Sequence, residues 1–402
     1  MRIAVLTSLY PLPEAPFEGL FAARKWEGMA GRGHEVEITA PVPWAPRILA
    51  GLLSAERARV ARAPGVETRG GIRVRRPRYL HLPGSGERNA ARFAAAGLSR
   101  VMKDPRSRPD AVVLDYAWPA AAAAPRFADL GVPVVVNGRG SDVLQVRDVP
   151  ALRTALARGL AASTALTAVS QDLLDAMGEL RAEARSAGPE RPRVLTPNGV
   201  DGAAFRPGDR AVARARVGED AEGELVVVIG HLIARKDPLL ALRAFHAAGR
   251  EGARLVFVGR GPLASDLRAE AERLGIGHRV SLAGERPPEE LVEWYRAANT
   301  LLLTSSREGR PNVVLEALSS GCPVLATAAG GTAEVVPDHE RMLARTRRPE
   351  EVGQMLSDLL DSPPAPDRLR AAVEPLSWAA SLDALEALLA ELVARSVETP
   401  ER

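Results

Sequence analysis

Short apolar runs of strand length recur along the chain, separated by longer stretches in which apolar positions return every three or four residues. Runs at 2–7, 35–40, 111–115, 132–137, 165–169 and 193–196 predict strands, and helical spacing marks 19–31, 90–102 and 171–180 between them. A strand that is apolar at consecutive positions is covered on both faces, the pattern of a parallel sheet wrapped by crossover helices. The pattern pauses at Pro207-Gly208-Asp209-Arg210 and the charged residues through Glu224, which read as a linker. It resumes with strand-length runs at 225–230, 254–259, 280–283, 300–304 and 323–326. An amphipathic stretch rich in Ala, Leu and Glu predicts a closing helix over 377–395, and the alanine run 120–124 also reads as helix. The fold class is therefore α/β, with two doubly wound Rossmann-like domains in tandem. Ligands of such sheets bind beyond the carboxyl ends of the strands, so two tandem domains predict a cleft faced by both.

Composition narrows the function classes. The 402 residues are 46% hydrophobic and 26% charged, which excludes a disordered or fibrous chain. Lys and Arg number 53 against 50 Asp and Glu, a formal charge of +3, too balanced for a nucleic-acid binder. Cys322 stands alone, which rules out an internal disulfide or a cysteine-based zinc site and suits a reducing compartment. The run at 2–7 is too short for a signal peptide and leads into Pro11, Pro13 and Pro16; no stretch reaches the ~18 apolar residues of a spanning helix. A cytoplasmic location is expected. Of the 53 basic residues 50 are arginine, a bias of the kind base composition produces, which leaves Lys25, Lys103 and Lys236 as the lysines to account for. Residues 73–108 hold ten basic and two acidic side chains, a local excess of +8. This excess suits an anionic acceptor or the inner face of an anionic membrane, and equally a solvated basic face.

Chemistry concentrates in the loops after the second domain's strands. The run at 300–304 leads into Ser305-Ser306-Arg307-Glu308-Gly309-Arg310-Pro311-Asn312-Val313-Val314-Leu315-Glu316. Pro311 suits an early helix position, so Glu308 falls in the loop and Glu316 about a turn inside the helix. Both carboxylates can face one ligand, and the N–H groups at the helix start offer partial positive charge to a phosphate or a sugar hydroxyl. Taken singly, Glu308 as a helix cap and Glu316 on a solvated face is the plainer reading. Gly230, Arg235 and Lys236 follow the strand at 225–230 and precede a helix at 239–247. Adjacent cations at a helix entrance suit a diphosphate, with an exposed charge pair as the alternative. Val258-Gly259-Arg260-Gly261-Pro262 is a strand followed by a glycine turn, a feature common to α/β domains.

In combination, Glu308 and Glu316 spaced by seven residues, Arg235-Lys236 and Gly259-x-Gly261-Pro262 have the order and spacing of family 4 glycosyltransferases, which the chain resembles over nearly its whole length. The resemblance implies the GT-B fold: a first, acceptor-side domain over 1–205 joined by 377–402, as the helix with Trp378 crosses back, and a second domain over 206–376 that binds a nucleotide-diphosphate sugar. It implies that Glu316 bonds the donor ribose, that Glu308 contacts the donor sugar, and that Arg235 and Lys236 neutralise the diphosphate leaving group. Gly309, Arg310, Pro311, Asn312 and Val313 would line the sugar, Gly230 and Gly261 the donor, and Arg286 the base. In the first domain, Gly19 of Glu18-Gly19-Leu20-Phe21 would let backbone approach the donor diphosphate closely. Asn137-Gly138-Arg139-Gly140-Ser141-Asp142 resembles the family's His-Gly-Ser-Asp loop, with arginine where histidine is commonest. Arg139 cannot act as a base, so it would give charge and hydrogen bonds beside Asp142 on the acceptor side, or else be a surface turn residue. Ser170 is the expected N-cap of the helix after the strand at 165–169. Asn198, in Pro197-Asn198-Gly199, either touches ligand or forms a hinge turn.

The resemblance implies transfer of a sugar from a nucleotide-diphosphate donor to a glycan or lipid-linked acceptor, with retention at the anomeric carbon and no metal or other cofactor. No Asp-x-Asp triad occurs, in agreement with metal independence. Ser8-Leu9-Tyr10-Pro11, the proline-rich loop to Gly19 and the arginine loop bring the chain near bacterial polysaccharide enzymes similar to teichuronic acid glycosyltransferases. Two alternatives share the scaffold: a nucleotide-sugar 2-epimerase, which needs no acceptor, and a non-catalytic component of glycan assembly. A nicotinamide dehydrogenase is disfavoured, because Thr7-Ser8-Leu9-Tyr10-Pro11 follows the first strand in place of a Gly-x-Gly-x-x-Gly turn.

Overall fold

Consecutive apolar residues build parallel strands buried on both faces in each of the two units into which the chain divides, Met1–Pro197 with Ser381–Arg402, and Asn198–Ala380. The computed structural model describes residues 1–44, 60, 62–82, 84–98, 108–184, 191–220 and 222–398.

The first unit contains β1 (Arg2–Thr7), β2 (Glu35–Thr39), β3 (Val42–Trp44), β4 (Val66–Arg69), β5 (Ile72–Arg75), β6 (Arg78–Leu80), β7 (Ala111–Asp115), β8 (Val134–Gly138), β9 (Ala165–Ala168) and β10 (Arg193–Leu195). Eight of these strands form one sheet in the order β10-β9-β8-β7-β1-β2-β5-β4, and β3 pairs with β6 separately. Only β4 runs antiparallel, against β5. The sheet has a core on each face. Ile3 and Val5 of β1 pack with Ala22, Ala23, Trp26 and Met29 of the helix Leu20–Gly31, while Leu6 packs with Val112, Leu114 and Phe93 on the other side. The helix Trp378–Glu398 adds Leu382, Leu385, Leu388, Leu389 and Leu392 to the first of these cores, an i, i+3, i+4 stripe.

The central strands fall within a residue or two of their expected bounds, because burial on both faces is written directly as consecutive apolar residues. The strands β4 to β6 were not expected. In β5 the buried Ile72 and Val74 alternate with Arg73 and Arg75, while in β4 the exposed Val66 pairs with Arg75 and Glu67 pairs with Val74, so no apolar run marks either strand. The helix expected over 90–102 spans Gly86–Leu98; residues 99–102, Lys103 and part of the basic stretch 73–108 lie outside the described residues.

The second unit contains β11 (Leu225–Ile229), β12 (Arg254–Val258), β13 (Val280–Gly284), β14 (Thr300–Leu303), β15 (Val324–Thr327) and β16 (Leu343–Ala344). They form one parallel sheet in the order β13-β12-β11-β14-β15-β16. The order reverses between β11 and β14, so the loops leaving these two strands flank a topological switch point. The stretch expected to be a linker is corrected here, since Arg210–Val217 is a helix. Asp209 caps it by accepting from the Val212 amide at 2.9 Å, and Gly218 ends it at φ 78°. Its charge hid it in the sequence, yet Ala213 and Arg214 are buried. Arg214 donates to the Ala297 and Gly223 carbonyls and to Asn299 Oδ1, at 3.1, 2.8 and 2.7 Å. No described helix is long and apolar enough to cross a membrane.

Candidate active site

In the second unit the loops leaving β11 and β14 bring Arg235, Lys236 and Glu308 together at the switch point. Lys236 Nζ lies 2.5 Å from Glu308 Oε1, and Arg235 Nη1 3.3 Å from Glu308 Oε2. Ser305 donates its hydroxyl to Glu308 Oε1 at 2.6 Å, and Arg235 also donates to the Arg307 carbonyl at 3.0 Å. Glu308 is 7% exposed. Burial alone would raise its pKa, but the Lys236 charge and hydrogen bond, the Ser305 hydroxyl and Arg235 outweigh burial and hold the carboxyl below its ordinary value. The cluster therefore holds one carboxylate against two cations, a net charge of about +1 beside the switch point.

The cationic loop is fixed in place from several sides. Asp237 adopts φ 43°, a left-handed conformation uncommon outside glycine, and its carboxylate caps the helix Pro238–Ala247 at the Leu240 amide, 3.2 Å away. Arg347 holds that same carboxylate at 2.6 Å and donates to the Ser305 carbonyl at 2.8 Å. The Ser306 amide donates to the Arg235 carbonyl at 2.8 Å and the Thr304 hydroxyl to the Asp237 carbonyl at 2.8 Å, so each loop braces the other. Gly259 and Gly261 owe their identity to backbone crowding, whereas a Cβ on Gly230 would meet nothing nearer than Lys236 Cε at 3.9 Å and that glycine answers to its φ of 143°. A Cβ on Gly259 would meet the Gly230 oxygen at 1.9 Å, and one on Gly261 the Leu232 oxygen at 2.3 Å. The Leu232 amide in turn donates to the Arg260 carbonyl at 2.9 Å.

Glu308 does not cap the following helix. That helix, Asn312–Ser319, starts after Pro311 in its N-cap position, without a side-chain cap. Its Glu316 accepts from the buried Tyr295 hydroxyl at 2.8 Å, so it is not a purely solvated side chain. Asn198 donates to Asn312 Oδ1 at 3.0 Å, which ties the residue after Pro197 to the first turn of this helix. Gly309 and Val313 flank Arg310, Pro311 and Asn312 on the same loop and helix start. Arg286 is not brought to the others: it is exposed and forms an i,i+4 ion pair with Glu290 at 3.7 Å. Tyr295, Ser305 and Glu334 belong to the site and were not singled out from the sequence, where none of them stands in a recognisable spacing.

The first unit has a polar cluster of its own at the carboxyl ends of β7 and β8. Asp115, fully buried at the end of β7, accepts from Arg139 Nε and Nη2 at 2.7 and 2.8 Å, from Asn137 at 2.7 Å and from Trp26 at 2.8 Å. Burial opposes its ionisation, yet the Arg139 charge and hydrogen bonds prevail and its pKa falls to about 2. Arg139 is thus no surface turn residue: it is 8% exposed, and its guanidinium also lies over the Phe21 ring, 5.0 Å from the centroid. Lys25, unexplained by the sequence, is buried here and donates to the Thr196 carbonyl and hydroxyl at 3.1 and 3.0 Å. Burial, with Arg139 adding to it, lowers its pKa to about 7. Asp142 accepts amide hydrogens from Arg139, Gly140 and Ala117 and is raised to about 6 by burial. It pins Ala117 beside Tyr116, which sits at φ 69° with its hydroxyl 2.7 Å from Ser141 Oγ. Gly19, at φ 75°, is the N-cap of the helix Leu20–Gly31, where a Cβ would meet Leu9 Cγ at 3.2 Å. Ser170 caps its helix as expected, accepting from Leu173. Asp115, Trp26 and Lys25 could have been suspected only as polar residues inside otherwise apolar elements.

No group of three or more His, Cys, Asp or Glu that could hold a metal ion occurs among the described residues. Comparison with known proteins adds to this geometry. Residues 209–374 match the family described as glycosyl transferases group 1, and residues 19–199 match the glycosyl transferase 4-like domain. A putative teichuronic acid biosynthesis glycosyltransferase of Bacillus subtilis is 27% identical over 362 residues, covering 89% of this chain and 88% of that protein. Among solved structures, sucrose-phosphate synthase from Thermosynechococcus elongatus superposes with a TM-score of 0.78 at 20% identity, over 98% of this chain and 100% of that one. HepE of Anabaena, solved in complex with UDP, gives 0.72 at 16% identity, over 97% and 100%. Both likenesses concern the fold.

Proposed function

The chain belongs to the GT-B glycosyltransferases, with a 4-like domain followed by a group 1 domain, and from that premise we propose that it moves a glycosyl group from a nucleotide-diphosphate sugar to a hydroxyl of a glycan or lipid-linked acceptor in bacterial polysaccharide synthesis, with retention at the anomeric carbon. The second unit takes the donor and the first the acceptor. The observation that carries the donor assignment is the cluster of buried Glu308 with half-buried Lys236 and Arg235 at the switch point of the second sheet, where such folds take their ligands. Its net positive charge suits a diphosphate, and Glu308 holds the cations in position before the ligand arrives, so little reorganisation accompanies departure of the leaving group.

In the transfer, the bond from the anomeric carbon to the distal phosphate oxygen breaks and a bond to the acceptor oxygen forms on the same face. The acceptor proton passes to the departing phosphate oxygen, and Arg235 and Lys236 stabilise the negative charge that collects on the diphosphate. This route needs neither an enzymic base nor a metal. Glu316, already bonded to Tyr295, is set to take the ribose hydroxyls. In the first unit, Arg139 is held by Asp115, so it serves the acceptor side through its fixed charge, and the Tyr116–Ser141 hydroxyl pair offers the exchangeable hydrogen bonds. Exposed Trp44 and Leu80, paired across β3 and β6, with Arg78 on the same strand as Leu80, favour peripheral contact with an anionic membrane at the cytoplasmic face.

The test is a thermal-shift screen of the full chain against UDP-, GDP- and ADP-sugars. A ligand at 100 times its Kd adds about 2.7 kcal/mol of apparent stability. The expected result is stabilisation by the sugar nucleotides of one base, followed by acceptor-dependent release of the nucleoside diphosphate. Release of nucleotide with free, inverted sugar and no acceptor would instead identify an epimerase, and no stabilisation by any of the three would end the reading.

A further inference from the structure

Arg310 sits in the loop between Glu308 and the helix Asn312–Ser319, and its side chain is only 5% exposed. Its Nε and Nη2 are buried without a hydrogen-bond partner, and Nη1 lies 3.9 Å from Glu334 Oε2, beyond hydrogen-bond reach. Two other buried arginines, Arg139 and Arg214, are provided for differently, whereas Arg76 leaves Nε and Nη1 unpartnered but places Nη2 on the Pro11 carbonyl and Glu67 at 2.7 Å each. Arg139 spends the same edge, Nε with Nη2, on the two oxygens of Asp115 at 2.7 and 2.8 Å. Arg214 has three acceptors within 3.1 Å. A guanidinium edge stripped of water and left unpaired is costly, and buried polar groups of this kind call for an explanation. Burial accordingly lowers the Arg310 pKa, with Glu334 offsetting part of the effect.

The place of this edge in the fold supplies the explanation. Arg310 is two residues from Glu308, whose carboxylate is already shared by Lys236 and Arg235, and directly precedes the N-cap of a helix whose first-turn amides point out of its start. Two parallel N–H donors on one planar edge match two oxygens of a carboxylate or a phosphate. We propose that Arg310 is an oxyanion-binding residue of the donor site, its Nε–Nη2 edge taking two oxygens of an anionic group that the donor carries. The proposal rests on the reading that the second unit binds a nucleotide-diphosphate sugar. Two donor groups have this chemistry, a phosphate of the diphosphate and the carboxylate of a uronic sugar.

The experiment uses the full chain and the variants Arg310→Met and Arg310→Lys. UDP, GDP and ADP are titrated first by calorimetry to fix the base, followed by the hexose and hexuronate conjugates of the nucleotide that binds. Arg310→Met replaces the unpaired charge by an apolar side chain of similar length, so the ligand-free chain should melt no lower than wild type while donor affinity falls at least tenfold. Arg310→Lys, a point charge without the fork, should recover less than half of that loss on a logarithmic scale. A loss of equal size for the diphosphate alone, the hexose and the hexuronate assigns the edge to a phosphate. A loss confined to the hexuronate, which wild type would then prefer, assigns it to a sugar carboxylate. Unchanged affinity of Arg310→Met for all three overturns the proposal, whatever its melting point. Failure of wild type to bind any of UDP, GDP and ADP instead removes the reading of the second unit, and the proposal with it.

Discussion

At the scale of single residues each unit holds a cluster of charged groups around a buried carboxylate, Glu308 or Asp115, and each makes a prediction. In the second unit, Lys236 is both the nearest cation to Glu308 and the charge proposed to meet the leaving diphosphate. Lys236→Ala should lower kcat by about 10²–10³, the range seen when one preorganised donor to a developing anion is removed, with a smaller change in KM. Near-normal turnover by that variant on a verified donor would dismiss the assignment. In the first unit, Lys25 has an ordinary pKa of 10.5 that burial lowers to about 7. A cation with a depressed folded pKa contributes stability that is complete above pH 10.5 and is lost as pH falls towards 7, because the unfolded chain binds the extra proton across that window. The wild-type unfolding free energy should therefore rise between pH 7 and 10, by at most about 1.4 kcal/mol per unit for one proton. Lys25→Met keeps the apolar stem and removes the titration. Its stability curve over the same interval should be flatter, and an identical slope in chemical denaturation would show that Lys25 is not the group responsible. Asp115 has the opposite setting in pH: its depressed pKa of about 2 stabilises the fold above pH 3.8 and ceases to as pH falls through that interval.

At the scale of elements, the site depends on strand ends that touch. The loops after β11 and β12 pass so close that the second requires glycine at 259 and 261, and Gly261→Ala would set a methyl 2.3 Å from the Leu232 carbonyl oxygen. Backbone cannot yield as a flexible side chain can, so a loss of about 1–3 kcal/mol in the stability of the second unit is expected, read as a lower denaturant midpoint. Donor affinity should fall with it, since Leu232 leads directly into the Arg235–Lys236 loop. Unaltered stability would mean that the turn has room the distances deny. The glycines at 259 and 261 were legible in the sequence as a turn, yet their cause, one strand end crossing another, was not, because it depends on pairing between β11 and β12. The same limit applies to the chemistry. The spacing of Glu308 and Glu316 marked the loop and helix, but the partners Ser305 and Tyr295 are brought in by packing. Arg286 had a plausible position by order along the chain and is nonetheless an exposed ion pair, for nothing in the run of residues distinguishes an inward arginine from an outward one. The helix Arg210–Val217 escaped notice for a related reason, as its buried side is completed by the stem of Arg214 rather than by an apolar residue.

At the scale of the whole molecule, what the sequence expressed well was burial on both faces of a sheet, and what it expressed poorly was burial on one. Strands β1, β7, β8, β11, β12 and β14 are apolar at consecutive positions and were placed closely; β4 and β5 lie at a sheet margin, are half polar or charged, and were missed. The closing helix lies between these cases. Its amphipathic stripe announced that it packs on something, while the core it joins, that of the first unit some 200 residues earlier in sequence, could be inferred only by resemblance. The packing gives that assignment a direct consequence. Leu389 is fully buried among Trp26, Met29 and the leucines of its own helix, so Leu389→Ala should cost about 2–5 kcal/mol, and the cost should fall on the unit whose core is opened. Amide hydrogen exchange resolves where it falls. Protection of β1, β2 and β7 should decrease in the variant while that of β11, β12 and β14 stays as in wild type. A uniform loss across both sheets would instead mean that the two units unfold as one cooperative body, and the tail would then have to be counted as a brace for the whole chain rather than as the last element of its first unit.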